Sequence, residues 1–368
     1  MDTLPQPMQE ALALARRATA LSEPNPRVGC VIVSPDGARV LGAGHTQPAG
    51  QAHAEIMALR DAAARGEDVR GATAYVTLEP CAHHGRTGPC CDALVAAGIG
   101  KVVASLTDPN PLVAGQGFGR LRAAGVQVEI GPGAEESRAL NIGFFSRMTR
   151  RTPWVRMKVA ASLDGLTALP NGASQWITSE AARADGHAWR ARAGMVLTGI
   201  GTVLEDNPRL DVRLVATPRQ PGLVVVDSRL QTPTDAALFQ PGRAILIYGA
   251  EDKPDAIAAL RAKGAEVVLL PGAGGKVDLA AMLADLGRRE VNELHVEAGY
   301  KLNGSLVREG LVDEFLVYLA PKMLGQGQGM ASFGPLAALD QALGLEFSSV
   351  ERIGTDLRVL ATVKGRRL

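Results

Sequence analysis

Short apolar runs alternate with helix-like patterns along the first half of the chain. Residues 28–33 are nearly all apolar and predict a buried strand, and residues 40–44 predict a second strand after a turn at 34–37. Leucines among alanines predict a helix over residues 6–21, and Ile56, Leu59 and Ala63 on one face predict another over 54–64. Further strands are predicted at 73–78, 101–106 and 126–128, and further helices at 90–97, 118–124 and 135–145. Such alternation is typical of an α/β layered sheet.

The second half of the chain continues the alternation. A helix is predicted at 180–193, and strands are predicted at 154–160, 195–199, 223–226, 244–248, 266–270, 293–297 and 314–319. The segment 146–153 is polar and basic and ends in proline, which predicts a linker. Because 368 residues suffice for two cores, we expect one domain over residues 1–147 and a second over 153–368.

Composition and charge narrow the classes of protein. Lysine and arginine total 39 and aspartate and glutamate total 38, so the chain lacks the basic excess typical of nucleic-acid binding. The four cysteines are too few for a disulfide scaffold, and we expect Cys30 to be a small buried side chain. The N-terminus lacks a signal pattern, and no apolar run approaches the roughly 20 residues that span a bilayer. We therefore expect a cytoplasmic protein with neither a membrane nor a nucleic-acid partner.

His53, Cys81 and Cys90 form a nitrogen-and-sulfur ligand set suited to zinc. Three protein ligands leave the fourth tetrahedral position for water, as in a catalytic rather than a structural site. Glu55 is then free to take a proton from that water and to pass it to a leaving amine. The order His-x-Glu, Pro-Cys, Cys is the signature of zinc-dependent nucleobase deaminases, except that eight residues rather than two separate the cysteines.

The predicted elements place two of these ligands at the starts of helices. His53 opens one helix and Cys90 begins the next, where exposed N–H groups favour a thiolate over a thiol. A closed structural zinc site remains the alternative, because Cys91, His83 and His84 are available as a fourth ligand. Cys91 adjoins Cys90 on a helix, so its side chain should point about 100° away and suit core packing.

Residues 79–91, Glu-Pro-Cys-Ala-His-His-Gly-Arg-Thr-Gly-Pro-Cys-Cys, resemble the zinc segment of the riboflavin-pathway deaminases. Four later segments resemble the reductase domain of the same bifunctional family: Ala-Ser-Leu-Asp-Gly at 161–165, Ser-Gln-Trp-Ile-Thr at 174–178, Asp-Asn-Pro-Arg-Leu at 206–210 and Val-Glu-Ala-Gly at 296–299. The resemblance runs through nearly the whole chain. It implies a cytidine-deaminase-like α/β/α layered sheet followed by an α/β domain similar to dihydrofolate reductase.

The resemblance also implies two consecutive reactions of riboflavin biosynthesis. A zinc-activated water replaces an amino group of 2,5-diamino-6-ribosylamino-4(3H)-pyrimidinone 5′-phosphate, with Glu55 moving the protons. NADPH then reduces the ribosyl group of 5-amino-6-(5-phosphoribosylamino)uracil to ribityl. The implied partners are these phosphorylated pyrimidines, and the reductase domain is expected to build a homo-oligomer. The preference for NADPH over NADH rests on the family alone.

Two candidate substrate contacts lie in the first domain. Asn25 matches a position where the family has an asparagine near the pyrimidine, and an amide suits the edge of a base. Arg86, between the two zinc cysteines, suits the substrate's phosphate. The alternatives are an Asx-type turn for Asn25 and plain solvent exposure for Arg86.

The contacts of the second domain are carried over from the family position by position. The NADP contacts implied are Ala160, Trp176, Thr202, Asp206, Ser228 and the segment Gly299, Tyr300, Lys301, Leu302, Asn303, Gly304 and Ser305. The substrate contacts implied are Ser174, Arg190, Leu210, Arg213 and Glu297, with Lys158 near the reacting carbon. The segment 296–305 joins a strand to a helix through small residues, which suits the approach of a pyrophosphate. Without the resemblance, the arginines would be read as surface charges, Trp176 as core and Lys158 as a strand-edge charge.

Two other functions are compatible with parts of the pattern. One is a cytidine, guanine or tRNA-adenosine deaminase fused to a non-catalytic nucleotide-binding module, which the cysteine spacing and the neutral charge disfavour. The other is a zinc-stabilised binding protein whose second half senses nucleotides. The second half lacks the Gly-x-Gly-x-x-Gly of a standard dinucleotide fold after its first strand.

Overall fold

The computed structural model describes residues 4–82, 88–111, 113–366 and 368. The chain divides into two compact units, Met1–Arg151 and Thr152–Leu368. Each unit contains its own β-sheet with helices packed on it. The α/β class and the two-domain organisation predicted from the sequence are therefore confirmed.

The first unit is built on a five-stranded sheet in the order β2-β1-β3-β4-β5. Its strands are β1 (Gly29–Val33), β2 (Val40–His45), β3 (Thr73–Val76), β4 (Lys101–Ala104) and β5 (Gln127–Ile130). Strand β1 runs antiparallel to β2 and β3, whereas β3, β4 and β5 are mutually parallel. The helices of this unit are α1 (Gln6–Arg17), α2 (Ala54–Ala64), α3 (Cys90–Ala96), α4 (Gln116–Ala123), α5 (Ala134–Leu140) and α6 (Ile142–Arg150).

Two strand glycines let helices lie directly on this sheet. A Cβ on Gly29 would lie 1.9 Å from the carbonyl oxygen of Ala11 in α1. A Cβ on Gly44 would lie 2.6 Å from the backbone nitrogen of Ala58 in α2. Strand β1 is buried along its whole length, including Cys30 as predicted. The close packing of α2 on β2 fixes where the N-terminus of α2, and therefore His53, lies.

The second unit is built on a nine-stranded sheet in the order β11-β10-β9-β8-β12-β6-β13-β16-β15. Its strands are β6 (Trp154–Ser162), β8 (Met195–Gly199), β9 (Gly222–Val226), β10 (Ile245–Gly249), β11 (Ala265–Leu269), β12 (Glu293–Val296), β13 (Glu314–Ala320), β15 (Leu345–Ile353) and β16 (Asp356–Val363). A separate two-stranded sheet pairs β7 (Leu166–Ala168) with β14 (Gln328–Gly329). The helices are α7 (Glu180–Arg192), α8 (Ile200–Asp206), α9 (Pro254–Ala262), α10 (Leu279–Arg288) and α11 (Tyr300–Arg308).

The first seven strands in this order, from β11 through to β13, are parallel to one another. At the other edge, β16 pairs antiparallel with β13 and forms an antiparallel hairpin with β15. Most residues of the parallel strands are buried, as expected for a sheet covered on both faces. Their carboxyl ends therefore lie along one edge. In open α/β sheets ligands bind at that edge, so it is where the candidate residues of this unit need to meet.

The structure departs from the sequence-based expectation in three places. Residues 146–150 belong to helix α6 rather than to a linker, because Phe144 and Phe145 on the same helix are buried and anchor it. The hairpin β15–β16 was not predicted, since β15 is mostly exposed and shows no clean alternation of apolar and polar positions. The short strands β7 and β14 were also missed. Among the described residues, no helix has the length and apolar character needed to cross a membrane.

Candidate functional site

Three candidate zinc ligands come together in the first unit. His53 is the residue that precedes α2, Cys90 is the first residue of α3, and Cys81 follows β3 in an irregular segment. The Nδ1 atom of His53 lies 3.5 Å from Cys81 Sγ and 3.4 Å from Cys90 Sγ. All three ligand atoms lie within 4.8 Å of one another. Ligand atoms around a tetrahedral zinc ion are about 3.6 Å apart, so this donor set fits that ion in chemistry and in spacing.

The pKa values of the two thiols of this cluster are shifted in opposite directions. A hydrogen bond from Cys90, together with His53, lowers the pKa of the Cys81 thiol to about 4. The backbone N–H of Cys90, at the start of α3, also donates to Cys81 Sγ at 3.3 Å. The pKa of Cys90 is raised because its thiol donates to Cys81 and is buried. The opposite shifts follow from the close approach of the two thiols, and both thiols lose their protons when they bind a metal ion as thiolates.

Glu55 lies in the first turn of α2 and is 3% exposed. Burial, followed by the charge of Cys81, raises the pKa of its carboxyl to about 7. His53 and a hydrogen bond with Cys90 act in the opposite direction, which places the carboxyl beside the ligand cluster. A carboxyl beside the candidate metal position, and outside the ligand group, can accept a proton and donate it again.

The fourth coordination position bears on the choice between a catalytic and a structural site. Within the described part of the chain, the metal-ligand group contains only His53, Cys81 and Cys90. Cys91 is buried and its thiol donates to Asp92 Oδ1 at 3.4 Å, in agreement with its predicted orientation away from the cluster. His83 and His84 lie outside the described residues.

Of the two candidate substrate contacts of this unit, the structure describes only Asn25. Asn25 is half-buried before β1, where its backbone N–H donates to Ser22 O at 2.7 Å. The N–H of Arg27, which an Asx-type turn would use, instead donates to Asn141 Oδ1 at 2.7 Å. The Asn25 side chain is thus left out of the turn's hydrogen bonding. Arg86 lies outside the described residues.

Glu79 is a buried carboxylate beside this site to which the sequence interpretation gave no role. It lies two residues before Cys81 and is 5% exposed. Its two oxygens accept backbone N–H groups of Asp108, Gly115, Gly117 and Phe118. The signal in the sequence was a charged residue between a buried strand and Pro80.

The candidate residues of the second unit gather at the carboxyl ends of four adjacent parallel strands. In sheet order these strands are β9, β8, β12 and β6. Ser228 follows β9, Thr202 and Asp206 lie in α8 after β8, Glu297 follows β12, and Lys158 and Ala160 lie on β6. Lys158 and Glu297, which are 139 positions apart in the sequence, are thereby brought to the same edge of the sheet.

Glu297 is the centre of an ion-pair cluster at this edge. Its carboxylate receives a two-pronged contact from Arg190, with Nε to Oε1 at 2.7 Å and Nη2 to Oε2 at 3.0 Å. Lys158 Nζ lies 3.6 Å from Oε2. Burial alone would raise the pKa of Glu297, but the charges of Arg190 and Lys158 hold it well below its usual range. Arg190 is buried rather than solvated, so the surface-charge alternative fails for it.

The loop after α8 contacts this cluster through its backbone. Arg190 donates through Nη1 to the carbonyl oxygen of Asp211, and Arg213 pairs with Asp211 at 2.8 Å. The backbone N–H of Arg213 donates to His187 Nδ1 at 3.1 Å. Burial and the charges of Arg190 and Arg213 lower the pKa of His187 to about 4, so the ring accepts this bond as a neutral group. Leu210 adjoins Asp211 and is buried. Asp211 and His187 were not identified from the sequence.

Two helices begin side by side at the same edge. Helix α8 follows Gly199 and helix α11 follows Gly299, and no side chain caps either start within the described structure. A Cβ on Gly299 would lie 3.6 Å from Thr202 Oγ1, which shows how close the two helix starts are. Free N–H groups at paired helix starts suit a diphosphate.

Most of the segment 299–305 is helical, whereas the sequence predicted a strand-to-helix connection over 296–305. Helix α11 begins at Tyr300, so Leu302, Asn303, Gly304 and Ser305 belong to its first two turns. A Cβ on Gly304 would lie 1.9 Å from Ser332 O, and Asn303 Nδ2 donates to Met330 O at 3.0 Å. These two residues pack α11 against residues 330–332. Only the start of the helix has N–H groups available to a phosphate.

The remaining candidates lie on or near the chain that leads into α7. Trp176 is 60% exposed, which rules out the core alternative, and Arg183 stacks over its ring at 4.5 Å. Ser174 is half-buried two residues earlier. An exposed indole is available to contact a ligand.

Comparison with known families covers both units. Residues 1–106 match the family described as the cytidine and deoxycytidylate deaminase zinc-binding region. Residues 153–359 match the RibD C-terminal domain. The two matches together take in all the candidate residues of both sites.

Relatives resemble the chain over nearly its full length. The riboflavin biosynthesis protein RibD of Escherichia coli is 44% identical over 95% of this chain and 96% of its own. That of Aquifex aeolicus is 39% identical over 95% and 96%. Among solved structures, an Acinetobacter baumannii RibD matches with a TM-score of 0.87 at 40% identity, covering 97% of this chain and 98% of its own. A Thermotoga maritima protein, described as a diaminohydroxyphosphoribosylaminopyrimidine deaminase/5-amino-6-(5-phosphoribosylamino)uracil reductase, matches with a TM-score of 0.85 at 31% identity over 97% of both chains.

Proposed function

This chain belongs to the RibD family of bifunctional deaminase–reductases of riboflavin biosynthesis, and from that premise we propose which residues perform its two reactions. It has a zinc-binding deaminase domain and a reductase domain. The substrates we propose are those in the name of the Thermotoga maritima relative, a diaminopyrimidine ribosyl phosphate and then the aminouracil formed from it.

His53, Cys81 and Cys90 are the proposed zinc ligands. Their separations of 3.4 and 3.5 Å and the buried Glu55 beside them are the observation that carries this assignment. When bound, zinc supplies a water whose pKa falls to about 7. Glu55, which is buried beside the ligands, would accept a proton there and donate it to the departing amine, a transfer that its near-neutral pKa favours. Asn25 is proposed to pair with the edge of the pyrimidine and Arg86 to hold the phosphate.

The carboxyl edge of the second sheet is proposed to bind NADPH and the ribosyl substrate. When bound, NADPH supplies the hydride. The starts of α8 and α11 hold its diphosphate, while Ala160 and Ser228, on either side of them, contact its two ends. Lys158 lies next to Glu297 and bears the positive charge that is available near the reacting sugar carbon. Arg190 fixes Glu297 so that its carboxylate can accept hydrogen bonds from sugar hydroxyls. Trp176, Ser174, Leu210 and Arg213 complete the proposed contacts.

The test is to assay both reactions in the wild type and in Glu55→Gln. With the diaminopyrimidine phosphate as substrate, we expect ammonia release to fall by at least a hundredfold in the variant, because the proton carrier is lost. Zinc content should stay equal, and oxidation of NADPH should proceed normally when the deaminated intermediate is supplied directly. A variant that retained deaminase activity would refute the role of Glu55, and a wild type that used only cytidine or guanine would refute the substrate.

We also propose that the reductase unit forms a homo-oligomer. Phe347 and Val350 on strand β15 at the edge of the sheet are 75% and 55% exposed. Exposed apolar side chains on an edge strand favour association with a second chain. Sedimentation of the wild type and of Phe347→Glu would show whether the variant dissociates.

A further inference from the structure

We propose that Glu79 is a positioning residue that places the zinc ligand Cys81 by anchoring the chain before it to the start of helix α4. The inference rests on the proposed function only in taking Cys81 as a ligand. Glu79 does not itself lie in the ligand group among the described residues.

The carboxylate of Glu79 accepts hydrogen bonds from Asp108 and from the segment 115–118, and so joins both to the chain before Cys81. Oε1 accepts the N–H groups of Gly117 at 2.9 Å and Phe118 at 3.3 Å, in the first turn of α4. Oε2 accepts those of Gly115 at 2.9 Å and Asp108 at 3.0 Å. Gly115 precedes the helix and has no side chain to cap it. Glu79 therefore caps α4 from the end of strand β3, and all four acceptor positions of its carboxylate are used.

The backbone next to Glu79 is equally constrained. A Cβ on Gly117 would lie 2.0 Å from the carbonyl oxygen of Pro80, so the first turn of α4 touches the peptide that leads into Cys81. The N–H of Glu79 donates to Leu106 O at 2.9 Å. The approach of α4 to Pro80 requires glycine at 117, and the carboxylate holds the two segments in that contact.

Cys81 is then held between two helix starts. On its other side, Cys81 O accepts the N–H of Cys91 at 3.2 Å, and Cys81 Sγ accepts the N–H of Cys90 at 3.3 Å. Cys81 lies in neither a helix nor a strand, so no regular hydrogen-bonding pattern fixes its position. Groups that orient metal ligands in this way typically change metal affinity 10- to 100-fold when they are replaced.

The experiment measures zinc affinity of the full-length protein by competition with a chromophoric chelator. In Glu79→Gln the amide nitrogen faces two backbone N–H donors, so at least two of the four hydrogen bonds are lost. We expect zinc to bind about 10- to 100-fold more weakly than in the wild type. We also expect the visible absorption bands of the Co²⁺-substituted variant to shift, because a displaced Cys81 changes the geometry around the ion.

Asp36→Asn is the control for loss of a carboxylate in the same unit. Asp36 Oδ1 accepts the N–H of Ala38 at 3.1 Å in the turn between β1 and β2, and neither of these strands carries a zinc ligand. Its substitution should leave zinc affinity and the Co²⁺ spectrum unchanged. If Glu79→Gln also kept wild-type affinity and spectrum, the positioning role would be refuted, whereas a wild type that bound no zinc would refute the proposed zinc site itself.

If Glu79→Gln fails to fold, a second pair of variants tests whether the start of α4 positions Cys81. Gly117→Ala places a methyl group against Pro80 O and should weaken zinc binding at least tenfold. Gly119→Ala, on the same helix, adds a methyl with no atom within 4 Å and should bind zinc as the wild type does. Equal zinc affinity in these two variants would overturn the proposal.

Discussion

The two carboxylates at either end of strand β12 differ in role because of their positions. Glu293, at the start of the strand, is 1% exposed and pairs with Arg156 at 2.6 Å and Arg192 at 2.7 Å. Glu297, just beyond the end of the strand, pairs with Arg190 and Lys158. Both carboxylates neutralise neighbouring basic side chains, but only Glu297 lies at the carboxyl edge where α/β sheets bind ligands. Position in the sheet therefore separates a stabilising charge cluster from a candidate binding one.

Replacing each of these carboxylates by an amide should separate stability from activity. Removing one partner of a buried ion pair costs about 3–5 kcal/mol, so Glu293→Gln and Glu297→Gln should both lower the free energy of unfolding of the second unit. Only Glu297→Gln should also abolish the reductase reaction at a temperature where the protein is folded. Denaturant unfolding and NADPH oxidation measure the two effects. Full reductase activity in folded Glu297→Gln would contradict the assignment.

Adjacent cysteines offer a second comparison of single residues. Cys90→Ala should lose zinc, because its Sγ lies 3.4 Å from His53 Nδ1. Cys91→Ala should retain one zinc per chain and its deaminase activity, since the Cys91 thiol donates to Asp92 instead. Its cost should be about 1 kcal/mol of stability from the small cavity left behind. Elemental analysis of both purified variants is the measurement, and zinc loss from Cys91→Ala would favour the closed structural site.

At the scale of elements, the starts of helices provide most of the candidate sites. Helices α2 and α3 begin at the zinc ligands, α4 begins at Glu79, and α8 and α11 begin at the proposed diphosphate position. The free N–H groups and the dipole of each helix start favour a thiolate, a carboxylate or a phosphate. The proposed sites thus share one property of the backbone, which favours a thiolate, a carboxylate and a phosphate alike.

Gly299, just before helix α11, and Gly304, within it, can be tested for which of them faces the cofactor. Gly304→Ala forces a methyl onto Ser332 O and should destabilise the second unit by about 1–3 kcal/mol. Gly299→Ala meets no atom closer than Thr202 Oγ1 at 3.6 Å, so its stability should be unchanged. Its NADPH dissociation constant should rise about tenfold, equivalent to about 1.4 kcal/mol, because the added methyl would keep a phosphate from the backbone N–H groups. Thermal unfolding and NADPH fluorescence titration distinguish the two. Unchanged NADPH binding in Gly299→Ala would contradict the proposed diphosphate position.

At the scale of the whole molecule, the chain combines two units with separate cores. The apolar clusters of the first unit and of the second unit draw on residues from their own sheets. The proposed metal site lies wholly within the first unit, and the carboxyl edge proposed to bind NADPH lies wholly within the second. Removal of the metal is therefore expected to affect one activity and not the other.

Treatment with a zinc chelator tests this separation in the full-length enzyme. Metal removal should abolish ammonia release and lower the melting temperature of the first unit, because zinc binds only to its folded state. NADPH oxidation on the deaminated intermediate should continue at its original rate, and added zinc should restore the first reaction. Loss of both activities on chelation, with recovery of both, would contradict a metal role confined to the first unit.

Much of the element pattern could be predicted because apolar periodicity follows burial. The predicted helix at 54–64 agrees with α2, and the strands of the parallel sheet were placed to within one or two residues. The antiparallel hairpin β15–β16 was not found, because most of β15 is exposed and its side chains carry no burial signal. Helix α6 was mistaken in part for a linker, since its polar side outweighed two buried phenylalanines in the pattern.

The sequence by itself determined the two-domain α/β class, the zinc-type ligand set and Glu55, because these depend on local periodicity and on residue type at short spacing. It did not reveal Glu79, Asp211 or His187, whose contacts join residues far apart in the chain. Only the tertiary structure decided that Arg190 is buried against Glu297 and that residues 300–305 are helical. The reason is physical: periodicity records which face of an element is buried, whereas the partner of a buried charge is set by how the elements pack.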